Sequence, residues 1–279
     1  MGAECRINVS AGPSPRHHEI HMFKIFGTKK DRRSVPSEWK DKYDVKVYES
    51  DNLERGGLIT LFNYFQNSAW SHYNRVDRVR GPFLTANQIW AMTRVEVQLE
   101  RPAKWQEVVE VETWSRGIES LMAFRDFIIR DAQGQRIAAG TTTWVVLDLE
   151  SKRIQRLSEL AKRWPSKPDV FSINKNADKV DPPARPEYGE TFRVRYSDMD
   201  LNHHVNSSRY IQWMLDSFGR EFLERYELKK AEINYIDEAM PGDEVFTGSE
   251  RVSDAPLVFL TNVIRKDGNK EICRARFTF

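Results

Sequence analysis

The chain has 279 residues, and 43 Lys and Arg against 41 Asp and Glu leave a net charge of +2, without the cationic surplus of a nucleic-acid or membrane-surface binder. Hydrophobic residues make up 40%, with 8 Trp, 15 Phe and 9 Tyr, enough to bury on the order of 70–75% of the unfolded surface in one or two domains. No apolar run reaches the roughly 18 residues of a membrane helix, and the two cysteines, Cys5 and Cys273, form neither a disulfide framework nor a metal spacing. The expectation is a cytoplasmic protein with reduced thiols, no resident metal, and no nucleic-acid or membrane partner.

Residues 1–21 lack a hydrophobic period and hold His17, His18 and His21; they contain no apolar secretory core, and Arg6 stands where an N-myristoylation signal needs Ser or Thr. A flexible extension over 1–40 is expected. Tyr43, Val45 and Val47 then alternate as in a strand, and Leu61, Phe62, Phe65, Ala69 and His72 recur at helical spacing between Leu58 and Asn74. Four strands should follow, Trp90 to Glu100, Glu107 to Ser115, Leu121 to Arg130 and Arg136 to Leu149, with DAQGQ as the turn between the last two. His72 lies on the apolar stripe and reads as a core or pocket histidine.

Between Lys162 and Tyr188 stand Pro165, Pro168, Pro182, Pro183 and Pro186, five of the 12 prolines, which predicts a semi-extended linker over 163–188. Beyond it the same order of patterns returns. Glu190 to Tyr196 alternates, and a helix over 205–225 stacks Tyr210, Ile211, Met214, Leu215, Phe218 and Phe222. Strands are expected over 232–236, 244–252, 257–265 and 270–279. Ile137-Ala138 aligns with Ile272-Cys273 at a spacing of 135, and Tyr64 with Tyr210 at 146, which sets His204 opposite Leu58. A tandem duplication follows, with structured halves over 41–162 and 189–279.

A long helix wrapped by an antiparallel sheet, present twice, is an α+β tandem hotdog arrangement. The segment VEVQLERPAKWQEVVEVETWSRGIESLMAFRDFIIRDAQGQRIAAGTTTWVVLDLESKRIQRL resembles the first hotdog domain of the acyl-ACP thioesterases, which end fatty-acid synthesis in plant plastids and have bacterial relatives. YSDMDLNHHVNSSRYIQWMLD resembles that family's active-site motif. The resemblance spans roughly Tyr43 to Phe279. It implies hydrolysis of fatty acyl-ACP, acyl-chain binding in the first half and catalysis in the second.

Thioester hydrolysis needs an activated water or a nucleophile, donors for the oxyanion, and a dry site. Asp200, Asn202 and His204 alternate just ahead of the second helix, so an extended segment would project them to one side, near backbone N–H groups at the start of that helix. By resemblance Glu238, in NYIDEAMPGDE, matches the acidic residue completing the set. It is expected to act as general base, with carboxylate nucleophile as the alternative; His204 and Asn202 would hold the water or polarise the carbonyl, and Asp200 would orient them. Some family members carry a cysteine directly after this acid. Here that position is Ala239, so no thiol nucleophile is expected.

The acyl chain is expected against Phe62, Trp90 and Met92, from a wider aromatic and methionine supply that includes Phe65, Trp70, Met122 and Phe124. No cofactor is needed, because water is the co-substrate. The partner implied is an acyl carrier protein bearing an acyl-phosphopantetheine, docking on Arg75, Arg78 and Arg80 or on Lys152, Arg153 and Arg156. Two hotdogs in one chain allow a monomeric pseudo-dimer or a homodimer. Competing readings are a hotdog acyl-CoA thioesterase or dehydratase, and a non-catalytic acyl-binding protein.

Overall fold

Short runs rich in Val, Thr and aromatic residues, bounded by Gly, Asp and Asn turns, build the strands, and the two apolar helical stripes fill their concave side. The computed structural model describes residues 35–201 and 203–279. In the first half β1 (Glu38–Asp44), β2 (Arg55–Gly56), α1 (Leu58–Arg80), β3 (Gln88–Leu99), β4 (Ala103–Lys104), β5 (Val108–Glu119), β6 (Met122–Arg130), β7 (Arg136–Asp148) and α2 (Ser158–Arg163) follow one another. The second half holds β8 (Tyr188–Arg193), α3 (Ser207–Asp216), α4 (Arg220–Arg225), β9 (Lys230–Tyr235), β10 (Glu244–Asp254), β11 (Leu257–Arg265) and β12 (Lys270–Thr278).

Ten strands make one antiparallel sheet in the order β1-β5-β6-β7-β3-β9-β12-β11-β10-β8, and β2 pairs separately with β4. The order is palindromic by role. β3 and β9 are the inner strands of two five-stranded hotdog sheets and pair with each other, Arg94 opposite Asn234 through Gln98 opposite Lys230. α1 packs on β1, β5 and α3, and α3 packs on β10 and β11. One apolar core runs through both halves, from Leu61, Phe62 and Phe65 to Ile211, Met214, Ile233 and Phe277.

The two halves correspond element by element. Glycine and asparagine cap the helices, Gly57 before α1 and Asn206 before α3, at a spacing of 149 rather than 146. Lys46 N–H is held by the Glu49 carboxylate (2.9 Å), and Arg195 N–H by that of Asp198 (2.7 Å). These bonds wind Val47–Glu49 and Tyr196–Asp198 into single turns of 3-10 helix, so the first alternating run ends as a strand at Asp44; it also begins at Glu38, inside the stretch expected to be flexible. The corrected register sets His204 opposite Arg55, not Leu58.

The helices also depart from expectation. α1 continues past Asn74 to Arg80 and stops at Gly81, whose φ of 85° ends the helix without a Cβ penalty. The helix expected over 205–225 is two helices, because Gly219 at φ 76° breaks it after Ser217.

The proline-rich stretch packs along the outer face of the sheet, crossing it strand by strand. Trp114 Nε1 donates to Val170 O (2.8 Å), Ser172 N and Oγ donate to Asp126 (2.7 and 3.1 Å), and Ser172 Oγ donates to Gly140 O (2.8 Å). Val180 N donates to Asn234 Oδ1 (2.8 Å), and Glu187 N to Ser249 O (2.8 Å). Beneath it Arg116 and Asp126 form a fully buried pair (2.8 Å), with Arg116 over the rings of Phe124 and Phe171. Removing the acid would strand a buried guanidinium, so Asp126→Ala should cost about 3–5 kcal/mol in denaturant unfolding; a cost below about 1 kcal/mol would show that the pair does not hold the segment down.

His72 is a core histidine. Arg125, itself buried, donates to His72 Nδ1 (3.2 Å) and to Thr113 Oγ1 (3.1 Å), so the imidazole proton sits on Nε2, which faces Pro36 O at 3.0 Å. Burial first, and then the Arg125 charge, push the His72 pKa down from 6.5 to about 4. The unfolded chain therefore takes up a proton that the folded chain refuses. This contribution is fully present above the ordinary histidine value and is lost as pH falls towards 4. Urea titrations from pH 7 to 4.5 should show His72→Gln removing up to about one proton from the pH slope of stability, and an unchanged slope would refute the neutral ring.

Candidate active site

The DLNHH segment is a tight hairpin, not the extended strip that alternation suggested. Met199 bridges Val205, Asp200 N–H donates to His204 O (2.9 Å), and His203 N–H donates to Asp200 O (3.1 Å). These bonds close a tight turn ahead of His204, and His203 takes a left-handed conformation at φ 61°. Asn202 lies outside the described residues. Arg209 reaches Asp198 at 3.6 Å across the base of the loop.

The loop delivers His204 to Glu238. Nδ1 of His204 lies 3.4 Å from Oε1 of Glu238, with 29% of the histidine side chain and 49% of the glutamate exposed. Glu238 stands in the irregular segment after β9, which is pinned by Ile236 N–H and Asp237 N–H on Ile272 O (3.0 and 3.1 Å). Asp237 points away to Arg265 (3.0 Å) and Lys270 (2.5 Å), and with these cations beside it its carboxyl stays below the usual range despite partial burial. Glu238 faces His204.

The start of α3 differs from the expected oxyanion site. The helix begins at Ser207, two residues beyond Val205, and Asn206 Oδ1 already accepts Ser208 N–H (2.9 Å) and Ser208 Oγ (2.8 Å). Cys273 is fully buried on β12, where burial pushes its thiol well above the ordinary range, and Ala239 is buried beside Glu238.

The residues expected around the acyl chain are not brought together. Phe62 and Met92 lie in the main core, whereas Trp90 packs in a separate cluster with Val146, Leu157 and Leu160. Trp70 and Met122 are exposed, and Phe124 belongs to the outer face with Arg116.

The first half carries a counterpart of the whole arrangement that alternation and helix spacing did not reveal. Asp51 N–H donates to Arg55 O and Glu54 N–H to Asp51 O (both 3.0 Å), with Glu54 at φ 60°. Asp51 and Arg55 thus stand where Asp200 and His204 stand, and Pro102 occupies the place of Glu238. The signal was legible: a basic residue, an acid three on and Asp five on, in Lys46-Glu49-Asp51 and again in Arg195-Asp198-Asp200.

The sequence model of the acyl-ACP thioesterase N-terminal domain matches residues 36–162, and that of the C-terminal domain matches 184–279. The chain is 28% identical over 250 residues to the chloroplastic oleoyl-acyl carrier protein thioesterase 2 of Arabidopsis thaliana, covering 83% of this chain and 67% of that one. It is 25% identical to the palmitoyl-acyl carrier protein thioesterase of Gossypium hirsutum, over 85% of this chain and 62% of that one. The chain thus spans about two thirds of the length of these relatives. In fold it is similar to an acyl-ACP thioesterase from Bacteroides thetaiotaomicron, with a TM-score of 0.77 at 23% identity over 87% of this chain and 98% of that one. The 12:0-ACP thioesterase from Umbellularia californica gives 0.76 at 20% identity, over 87% and 96%. With paired domain models matching across both halves of one continuous sheet, the chain belongs to the acyl-ACP thioesterase family.

Proposed function

We propose that the chain hydrolyses fatty acyl-ACP to free fatty acid and carrier protein, with Glu238 as general base. The observation that carries this reading is the 3.4 Å approach of His204 Nδ1 to Glu238 Oε1, on a half-exposed carboxylate. In this scheme Glu238 takes a proton from water, whose oxygen attacks the thioester carbonyl. The C–S bond of the tetrahedral intermediate then breaks, and the proton held between Glu238 and His204 passes to the phosphopantetheine sulfur. Asn202 would position water or polarise the carbonyl, and Asp200 would orient the loop. Attack by the carboxylate itself is the alternative; a cysteine route is disfavoured by Ala239 and by the burial of Cys273. The acyl chain would pass along the concave side of the first half, against Met92 and Phe62.

Glu238→Ala and His204→Ala should each lower turnover by at least about 100-fold, Asn202→Ala by less, and Cys273→Ala hardly at all. Wild-type rates in both of the first two variants would overturn the assignment. A matched panel of acyl-ACP and acyl-CoA substrates separates the readings. Carrier-dependent release lost in Glu238→Ala supports the proposal; release from CoA alone would make this an acyl-CoA thioesterase, and binding without release an acyl-binding protein.

For the carrier protein we propose a basic face at the end of α1. Arg163 Nη2 donates to Arg80 O (2.7 Å) and Arg80 Nη1 returns a bond to Arg163 O, so α2 sits against that end and joins Arg78 to Lys162 and Arg163. Arg153 and Arg156, exposed on the segment leading into α2, extend it. Arg78→Glu with Arg156→Glu should lower kcat/KM for acyl-ACP by about tenfold or more at low salt and leave acyl-CoA hydrolysis unchanged; equal rates on acyl-ACP would place docking elsewhere. A cytoplasmic location is part of the same proposal.

A further inference from the structure

We propose that Tyr210 is a positioning residue for Glu238, acting through the backbone N–H of Ala239; this rests on the assignment of Glu238 above. The segment Ile236 to Met240 has no regular structure, and Glu238 lies at its middle. Ala239 N–H donates to Tyr210 Oη at 2.9 Å, which ties the residue after Glu238 to α3, the helix that follows the His204 loop. The tyrosine ring cannot swing. It is 4% exposed and stands edge-on to Trp213 (5.3 Å) and Tyr235 (5.8 Å), while Tyr235 Oη donates to Ser207 O (2.9 Å) at the first turn of the same helix.

The first half serves as an internal control. Its turn after β3 matches the turn after β9 bond for bond: Gln106 N–H donates to Val45 O and Gly242 N–H to Val194 O (both 3.0 Å), and both residues have positive φ. Ala103 and Ala239 are the matching, fully buried positions. Yet Ala103 pairs in a small ladder with Gly56, and among the described residues that ladder has no counterpart between Ala239 and Val205. Separating these strands leaves room for the His204 and Glu238 side chains, and it would strand a buried N–H at a cost of about 1–3 kcal/mol. Tyr210 supplies the acceptor. At the positions of Tyr210 and Tyr235 the first half has Leu61 and Leu99, and at that of Glu238 it has Pro102. Both hydroxyls therefore occur in the half that has the acid and the histidine.

Tyr210→Phe keeps the ring and removes the acceptor. In steady-state assays on acyl-ACP it should lower kcat by about 10- to 100-fold, as expected when a reacting group is displaced by up to about 1 Å, and leave KM within about threefold. Deuterium exchange of the peptide over 236–243 should accelerate in the variant. In a Glu238→Ala background the same substitution should cost less than about twofold, because a residue acting through Glu238 has nothing left to position. Near-wild-type kcat in Tyr210→Phe, unchanged exchange, or an equal cost in both backgrounds would each overturn the proposal. Wild-type turnover in Glu238→Ala alone would instead remove the site assignment on which it rests.

Discussion

The pairing of β3 with β9 is the interaction on which the rest of the molecule depends. Two five-stranded sheets, each with an open inner edge, become one ten-stranded sheet when Arg94–Gln98 runs antiparallel to Lys230–Asn234. That register carries a cost: it sets Glu96 directly opposite Glu232, both buried on the outer face, and like charges facing across a ladder repel. Lys230 offsets the repulsion from within the sheet, at 3.3 Å from Glu96 and 3.1 Å from Glu232. Lys175 does so from above, at 3.2 Å from Glu96, and Arg276 adds a contact to Glu232 at 3.7 Å. The crossing segment is thus part of the joint between the halves, since it supplies Lys175 as well as the cover over Asp126.

Joining the halves also separates their chemistry. Each half builds the same capped 3-10 turn, the same hairpin with a left-handed residue and the same turn after its inner strand. The half with Pro102 has turned its loop into a clasp: Arg55 binds Asp51 (2.8 Å) and donates to Leu223 O (3.1 Å), and Asn52 donates to Glu224 (2.5 Å), so the loop holds α4 of the other half. The half with Glu238 has given up its small ladder and holds His204 and Glu238 side by side. One loop geometry thus serves packing in one copy and, in the proposed mechanism, hydrolysis in the other.

Much of this was legible in the residues. Apart from the first, whose alternating run ends in a 3-10 turn, alternation and turn chemistry located the sheet strands, and the DAQGQ turn closes as expected, with Gly134 at φ 78° and Asp131 accepting the N–H groups of Gln133 and Gln135. The duplication showed in Ile137-Ala138 and Ile272-Cys273. Helix register was less secure, because apolar residues recur every three or four positions and a slip of three preserves the stripe; the tyrosines at 64 and 210 matched by chance, and the caps Gly57 and Asn206 fixed the true frame. His204 and Glu238 were singled out by motif resemblance, and nothing in their local pattern showed that they would meet.

The sequence by itself determined the local elements: where strands alternate, where glycines end helices, and which short loops can close on themselves, because each depends on contacts within a few residues. Only the tertiary structure decided the outer face of the sheet. There buried charges such as Asp126, Glu96 and Glu232 look like ordinary solvated residues until the proline-rich segment lies over them. It also decided which backbone N–H groups lose a strand partner and must find another. The 3.4 Å between His204 and Glu238, and the hydroxyl of Tyr210 beneath Ala239, are set by packing between segments distant in the chain, and no local spacing encodes that.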